Sequence, residues 1–354
     1  MNDSRMKKLK KQKKKRNKKI EKQTKKDKKR MKNQIKLLLL GTGESGKTTV
    51  VKQMQILYKD GFNEETQILF RDAIRNNIRT SMELLLDIAD TLDLRLKKSN
   101  QVVAETFTRL NSTYNEDNIL SEEMVQCIIS LWSDPAIKTA YKQRFNFQIP
   151  DNINVYFDNV IEISKHGYKP SDQDILGCRI PTTGVNEISF QVKDLIWRII
   201  DVGGQRNERR KWIHQFEEVL LFIYVVAINE YNQNLFEDEG VNRLQESLKL
   251  FTKIANNEYF RHTNCILLLN KMDLFTEKII KYNLNVCFPD YKGGLDYEKA
   301  LLFITKKFEK PSKNLKRKIY LHQSCATNTE NINFIFYSVK EIVTKEFLKT
   351  FEFI

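Results

Sequence analysis

Short apolar runs recur along the second half of the chain, and their length and spacing predict the strands of one sheet. The runs lie at 188–193, 195–201, 220–228, 265–271 and 318–324, after a first run at 35–40. Continuous apolar runs of this length are typical of strands that are buried on both faces of a parallel sheet. The run at 188–193 alternates apolar and polar residues instead, which favours an edge strand. The pattern therefore predicts the α/β class with a mostly parallel sheet.

Helical periodicity dominates two other parts of the chain. Between 63 and 177, strand-like runs are few and apolar residues recur at helical spacing, most clearly at Ile74, Ile78, Met82 and Leu85. This spacing predicts an all-helical insert. The segment 330–349 should be one helix whose apolar face packs on the sheet. That face consists of Ile332, Ile335, Phe336, Val339, Ile342, Val343 and Phe347. The apolar end at 350–354 is either frayed or offered to another protein.

A glycine-rich loop joins the first apolar run to the helical pattern that follows it. The sequence GTGESGKT at 41–48 fits G-x-x-x-x-G-K-[ST]. Gly41 and Gly46 let the backbone curl until successive N–H groups face inward, at the positive end of a helix dipole. Lys47 can then reach the β and γ phosphates of a nucleotide, and the Thr48 hydroxyl can ligate Mg²⁺. The loop predicts a protein that binds a nucleoside polyphosphate, against the alternative of an ordinary glycine turn.

The positive charge of the chain is concentrated at its start. The net charge is +15 over 354 residues. Residues 1–36 hold 19 basic and 3 acidic residues, and residues 37–354 hold 41 basic and 42 acidic residues. Residues 1–34 therefore form a basic tail, which is either disordered or a highly charged helix, whereas the body is nearly neutral.

Cysteine and histidine usage argues against several classes of protein. The five cysteines are scattered without a C-x-x-C spacing, and the four histidines are scattered as well. This usage suits reduced thiols in a cytosolic protein and makes a zinc site improbable. There is neither an apolar run of membrane-spanning length nor a hydrophobic signal peptide at the start. We therefore expect a cytoplasmic protein.

Two further motifs follow predicted strands and specify the nucleotide. DVGGQ at 201–205 places Asp201 where it can reach a Mg²⁺ ion and Gln205 where an attacking water would lie. NKMD at 270–273 suits guanine, because the Asp273 carboxylate can accept hydrogen bonds from both N1–H and the 2-amino group. Either motif alone could be an ordinary loop. In this order, and together with the phosphate loop, they predict that the nucleotide is GTP.

These motifs and their surroundings resemble the alpha subunits of heterotrimeric G proteins over nearly everything after residue 35. The resemblance extends through VVKQMQILY at 50–58, RIPTTG at 179–184, DVGGQRNERRKWIHQFE at 201–217, EDEGVNRLQES at 237–247, LLLNKMDLF at 267–275 and SCAT at 324–327. It implies a Ras-like P-loop GTPase domain at 35–62 and 178–354, interrupted by an all-helical insert domain at 63–177. It also implies a GTPase that works as a molecular switch.

The resemblance assigns the catalytic and metal-binding residues. Arg179 would be an arginine finger that the chain itself supplies, and Gln205 would orient the attacking water. Thr48 and Thr182 would ligate Mg²⁺, and Asp201 would act on the ion through water. Without Arg179, hydrolysis should nearly stop.

The resemblance also outlines the rest of the nucleotide site. Glu44 is expected to pair with Arg179, Lys271 to lie along the base, and the Ala326 backbone to donate to the guanine O6. Asp151 aligns with an insert residue that faces the nucleotide across the cleft. The expected nucleotide-binding residues are Gly41, Gly43, Glu44, Ser45, Gly46, Lys47, Thr48, Thr49, Asp151, Leu176, Cys178, Arg179, Thr182, Asp201, Gly204, Asn270, Lys271, Asp273, Cys325, Ala326 and Thr327.

The partners implied by the resemblance are a beta-gamma dimer in the GDP-bound state, a seven-helix receptor that engages the carboxyl-terminal helix, and an effector that the sequence does not identify. The switch segment around Arg209, Lys211 and Trp212 favours a beta-gamma partner. The segment 20–27 resembles the beta-gamma contact of the family, but Thr24 replaces a usual leucine. Two other functions stay open, a GTPase that works on RNA and a GTP-binding scaffold without turnover.

The chain departs from the family at several positions. Asn2 stands where myristoylation requires glycine, and the first cysteine is Cys127. We therefore expect the basic tail to attach electrostatically to the anionic inner face of the plasma membrane, without lipid. A nuclear localisation signal, nucleic-acid binding and a solvated tail are the less favoured alternatives. Phe351 replaces the cysteine that pertussis-type toxin modifies, and Gly177 and Pro181 replace usual basic residues.

Overall fold

The computed structural model describes residues 33–113, 120–144, 147, 149–235, 237–238, 240–312 and 317–352. The basic tail predicted at 1–34 lies outside the described residues except for its last two positions. The beta-gamma contact predicted at 20–27 lies outside them entirely.

A six-stranded sheet forms the centre of the molecule. Its strands are β1 (Gln34–Leu40), β2 (Val185–Val192), β3 (Leu195–Val202), β4 (Leu221–Ala227), β5 (Asn264–Asn270) and β6 (Ile319–Gln323). Their order across the sheet is β2-β3-β1-β4-β5-β6. Only β2 runs antiparallel to its neighbour, and it lies at an edge. The mostly parallel sheet and the edge position of the alternating run are therefore confirmed.

Helices cover both faces of this sheet and fill the chain between β1 and β2. They are α1 (Lys47–Tyr58), α2 (Glu64–Thr91), α3 (Lys98–Ser112), α4 (Glu122–Trp132), α5 (Pro135–Lys142), α6 (Ile153–Asp158), α7 (Val160–Ser164), α8 (Asp172–Gly177), α9 (Arg243–Ala255), α10 (Met272–Ile279), α11 (Tyr297–Glu309) and α12 (Thr329–Glu352). Short 3₁₀ turns connect several of them, including one at Arg209–Gln215 and one at Ile228–Asn232. The described part of 63–177 contains helices and no strand.

The buried apolar residues in the described part of the chain form three clusters. Alternate residues of β1 point to opposite faces of the sheet, so Leu38 and Leu40 pack beneath α9, α10 and α11, whereas Leu37 and Leu39 pack beneath α1 and α12. The apolar residues predicted on one face of the last helix lie in this second cluster. The third cluster belongs to the helices α2–α8. Among the described residues, no helix combines the length and the apolar content that crossing a membrane requires.

Candidate functional site

A cleft opens between the carboxyl ends of the central strands and the helices α2–α8. It encloses a cavity of about 430 Å³. All of the residues predicted to bind nucleotide or to catalyse line this cavity, except Gly41, Ser45 and Asp201. Those three lie directly behind the wall, where their backbone or side-chain oxygens accept hydrogen bonds from Lys47, Asn270 and Thr48. The structure thus brings residues from five separate motifs around one cavity.

The phosphate loop follows β1 and curls tightly into α1. Gly41 and Gly46 have φ angles of 146° and 101°. A Cβ atom at Gly41 would collide with the Val225 carbonyl, and one at Gly46 would collide with the Asn270 side chain. Glycine is therefore required at both positions by conformation as well as by space.

The side chain of Lys47 lies buried under this loop. Its Nζ donates to the Gly41 and Thr42 carbonyls, at 3.1 and 2.8 Å. Burial lowers the pKa of Lys47 to about 8, although the charge of Asp201 counteracts part of that effect. Phosphate oxygens placed at this loop would be stronger acceptors than the two carbonyls, because they are charged.

Two hydroxyls and a carboxylate meet beside Lys47. Thr48 Oγ1 lies 2.5 Å from Thr182 Oγ1 and donates to Asp201 Oδ2 at 2.7 Å. The other carboxylate oxygen, Asp201 Oδ1, is buried without a hydrogen-bond partner. Burial raises the pKa of Asp201, despite Lys47 and the bond from Thr48. Such a set of oxygens, with one buried carboxylate oxygen that lacks a hydrogen-bond partner, fits a hard cation such as Mg²⁺.

Within the described residues, no three His, Cys, Asp or Glu side chains gather into a metal site. Mg²⁺ does not need such a group, because it is commonly held by one or two carboxylates together with water and the phosphates of a substrate.

Arg179 reaches the phosphate loop through an ion pair. Its Nη2 donates to Glu44 Oε1 at 2.5 Å, the pair that was expected from the sequence. The second Glu44 oxygen accepts from Arg243 Nη1 at 3.0 Å, and Arg243 also lies 3.3 Å from Glu230. Burial alone would raise the pKa of Glu44, but Arg243 and Arg179 outweigh it and the pKa falls. Glu44 therefore stays ionised and holds the Arg179 guanidinium at the cavity.

The far end of the cavity is organised by Asn270. Its Nδ2 donates to the Ser45 carbonyl at 2.8 Å, and its Oδ1 accepts from the Ala326 N–H at 3.0 Å. One side chain thus ties the phosphate loop to the loop after β6. Asp273, in the first turn of α10, and Cys325 lie beside each other on the cavity wall.

Lys271 contacts acidic residues on both sides of the cleft. Its Nζ lies 2.9 Å from Asp151, which precedes α6, and 3.2 Å from Glu230. Burial alone would lower the pKa of Lys271, but Asp151 and Glu230 outweigh it and raise the pKa. The ammonium therefore stays charged and bridges the helical region and the sheet.

The segment after β3 is held by a second group of ion pairs. Trp212 Nε1 donates to the Gly203 carbonyl at 2.8 Å, and Arg209 pairs with Glu246 of α9 at 2.5 Å. Glu208 accepts from the Gly184 N–H at 2.7 Å. Because Gly184 belongs to the segment that carries Thr182, these contacts join the two loops that approach the phosphate end of the cavity.

The sequence reasoning missed Arg243, Glu230 and Lys52, all of which line the cavity. Arg243 lies within EDEGVNRLQES, a segment that carries the family resemblance but does not indicate a role for this residue. Glu230 has no motif around it, and its sequence signal is an acidic residue shortly after the long apolar run 220–228.

Comparison with known proteins gives a consistent result. A family model described as the G-protein alpha subunit matches residues 14–343. Guanine nucleotide-binding protein alpha-17 subunits of Caenorhabditis briggsae and Caenorhabditis elegans are each 44% identical to the chain over 318 residues, which is 89% of both chains. A guanine nucleotide-binding protein subunit alpha of Cryphonectria parasitica is 40% identical over 318 residues, 90% of both chains.

Proposed function

The chain belongs to the G-protein alpha subunit family, whose members are GTP-hydrolysing signal transducers, and we propose which of its residues carry that activity. The proposal rests on one observation, the meeting of Lys47, Thr48, Arg179 and Gln205 around a single cavity. A scaffold that only binds GTP has no use for both an arginine at the phosphate loop and a glutamine facing it.

In the proposed site, Lys47 and the N–H groups of residues 43–48 hold the phosphates. Arg179 turns from Glu44 to the charge that develops on the transferring phosphoryl group. Gln205 orients the attacking water through its side-chain amide. Because buried bonds to two loop carbonyls already hold Lys47 in place, this group needs little reorganisation when the substrate binds.

Thr48, Thr182 and Asp201 are proposed to hold Mg²⁺, the last of them through water. When bound, the ion would neutralise charge on the β and γ phosphates. Thr48 stands at the end of the phosphate loop, and Thr182 stands in the segment after Arg179. When the γ phosphate is lost, Thr182 would separate from Thr48. This separation would relax the loops around Thr182 and Gln205.

Guanine is proposed to bind between Asp273 and the loop 325–327, with Lys271 along the base. Asp273 would accept hydrogen bonds from N1–H and the 2-amino group. The Ala326 N–H already donates to Asn270, so it could contribute to O6 only by sharing that bond. We therefore assign most of the base selectivity to Asp273.

We also propose the division into a GTPase domain at 35–62 and 178–354 and an all-helical insert at 63–177. The separate apolar cluster of α2–α8 supports this division. The insert would cover the nucleotide, and the contact between Asp151 and Lys271 would help to keep it closed.

The proposed partners are a beta-gamma dimer in the GDP-bound state, a seven-helix receptor that engages α12, and an effector. Arg209 and Trp212 lie on the segment that is tied to Gly203 and Gly204, beside the γ-phosphate position. A partner seated on this segment would therefore sense which nucleotide is bound.

Replacing Gln205 by leucine tests the catalytic assignment. We expect hydrolysis of bound GTP to fall at least about 100-fold, because the attacking water loses its orienting group. A misplacement of a reacting group by about 1 Å carries an effect of this size. GTP binding should persist, since the side chain does not hold the nucleotide. A single-turnover hydrolysis assay measures the rate, and Gln191→Leu on the exposed edge of β2 is the matched control. A parent rate in Gln205→Leu would refute the assignment.

The basic tail is proposed to attach the protein electrostatically to the inner face of the plasma membrane. With 19 basic residues in 1–36, binding to anionic vesicles should be strong at low salt and weak at high salt, because each basic residue near such a surface contributes about 1 kcal/mol. Deletion of residues 1–30 should abolish it and spare GTP binding, since β1 begins at Gln34. Sedimentation with vesicles measures this. Retained vesicle binding after deletion, or a full-length chain that binds RNA but not vesicles, would contradict the proposal.

A further inference from the structure

The backbone of Arg179 is held by two side chains that come from opposite sides. Two peptide groups meet at its Cα atom, one with the Cys178 carbonyl and the other with the Arg179 carbonyl. Lys52 donates to the first and Asn77 to the second. We propose that Lys52 and Asn77 are positioning residues for the Arg179 guanidinium, an inference that rests on the proposed catalytic role of Arg179.

Lys52 approaches from α1, the helix that begins at the phosphate loop. Its Nζ donates to the Cys178 carbonyl at 2.8 Å and to the Ile175 carbonyl at 2.9 Å. The side chain is only 5% exposed, and its ammonium lies 4.6 Å from the centre of the Phe70 ring. A buried ammonium with two carbonyl acceptors keeps those acceptors in place, because each broken bond would leave a buried polar group unpaired.

Asn77 approaches from α2, on the helical side of the cleft. Its Nδ2 donates to the Arg179 carbonyl at 3.0 Å and to the Ala73 carbonyl one turn earlier in its own helix. Both neighbours are carbonyls, which only accept hydrogen bonds, so the amide nitrogen must face them. The side chain is 9% exposed and thus well shielded from water.

Fixing both peptide groups fixes the conformation of the residue between them. The orientation of the two peptide planes determines φ and ψ of Arg179, and these angles set the direction of its Cα–Cβ bond. The guanidinium lies at the end of a long side chain, so a small rotation at Cα displaces it by a large distance. Catalytic groups tolerate only small displacements from the productive geometry.

The residues just before Arg179 are packed closely against the helical region. A Cβ atom at Gly177 would collide with the Asn152 side chain, and the Tyr156 hydroxyl donates to the Asp174 carbonyl at 2.6 Å. The helical region therefore packs directly against the end of α8, and the chain enters Arg179 from a well-supported turn. Neither Lys52 nor Asn77 needs to touch the substrate in order to act.

The test compares Asn77→Ala and Lys52→Met with the parent. Alanine favours the helix and removes only the amide, and methionine keeps the length of lysine without its donor. Asn76→Ala is the matched control, since Asn76 is the adjacent, exposed asparagine of α2. For each protein, single-turnover hydrolysis of bound GTP, the association rate of a non-hydrolysable GTP analogue and the melting temperature are measured. The substitutions at 77 and 52 are then repeated in an Arg179→Cys background.

We expect Asn77→Ala and Lys52→Met each to slow hydrolysis about tenfold, a loss in keeping with a displacement below 1 Å. Asn76→Ala should stay within twofold of the parent. In the Arg179→Cys background, the same two substitutions should change the rate less than twofold, because the group they position is gone.

Four results would count against the inference or its basis. Equal losses with and without Arg179, or a parent rate in both single variants, would overturn the positioning role. A loss that is accompanied by an equal drop in analogue association would assign the residues to binding instead. A parent rate in Arg179→Cys alone would refute the catalytic role on which the inference rests.

Discussion

Arg179→Cys is expected to hydrolyse bound GTP about 10³-fold more slowly than the parent, at the lower limit of the range for an arginine finger. The guanidinium at this position can follow the charge that builds up on the phosphoryl oxygens, and cysteine offers nothing comparable. GTP binding should be almost unchanged, because Lys47 and the backbone N–H groups of the loop remain.

The stability of this variant should also change little. Removal of Arg179 leaves Glu44 with its second partner, Arg243. The Arg243 side chain is only 7% exposed, and its Nη1 lies 3.0 Å from Glu44 Oε2. The Glu44 carboxylate is therefore not left unpaired, the situation that makes loss of one partner of a buried ion pair costly. Single-turnover hydrolysis and thermal unfolding, with the exposed Arg261→Cys as control, separate the two effects. A large drop in melting temperature would mean that Arg179 serves the fold rather than the reaction.

The parts of the site that depend on local geometry could be predicted from the sequence. The phosphate loop requires glycine where the backbone adopts positive φ and where other atoms leave no room for a Cβ, and these requirements appear directly in the residue pattern. Asp201 and Asn270 were predictable for a related reason. Each lies at the carboxyl end of a strand that is apolar enough to be recognised, and such ends converge in a parallel sheet.

Features that depend on tertiary contacts were not predictable in the same way. The strand β2 begins at Val185, three residues before the apolar run, because Val185 pairs with Val202 of β3 and Glu187 forms an ion pair with Arg198 at 2.7 Å. Polar residues thus extend the strand through their cross-strand partners. The roles of Lys52 and Asn77 depend on carbonyls more than 100 residues away in the chain.

The expected effect of Asp273→Asn concerns the choice of base rather than the rate of the reaction. The carboxylate can accept two hydrogen bonds from guanine at once, and both would be charge-assisted. The asparagine amide has one oxygen and one nitrogen, so it can accept from only one of these donors and presents its own donor to the other. We expect GTP affinity to fall at least about 100-fold, since a polar group of the site and one of the ligand are then left unpaired.

The same change should favour xanthine nucleotides, in which an oxo group replaces the 2-amino group of guanine. The amide nitrogen of asparagine can donate to that oxo group, whereas the carboxylate would repel it. Competition between GTP and xanthosine triphosphate for binding measures the change in preference. Asp290→Asn is the control, because Asp290 is an exposed aspartate that pairs with Lys307 away from the cavity.

Since Asp273 sits at the base end of the cavity and Arg179 at the phosphate end, the variant should hydrolyse xanthosine triphosphate at nearly the rate at which the parent hydrolyses GTP. An unchanged preference for GTP would mean that another residue of the cavity wall recognises the base.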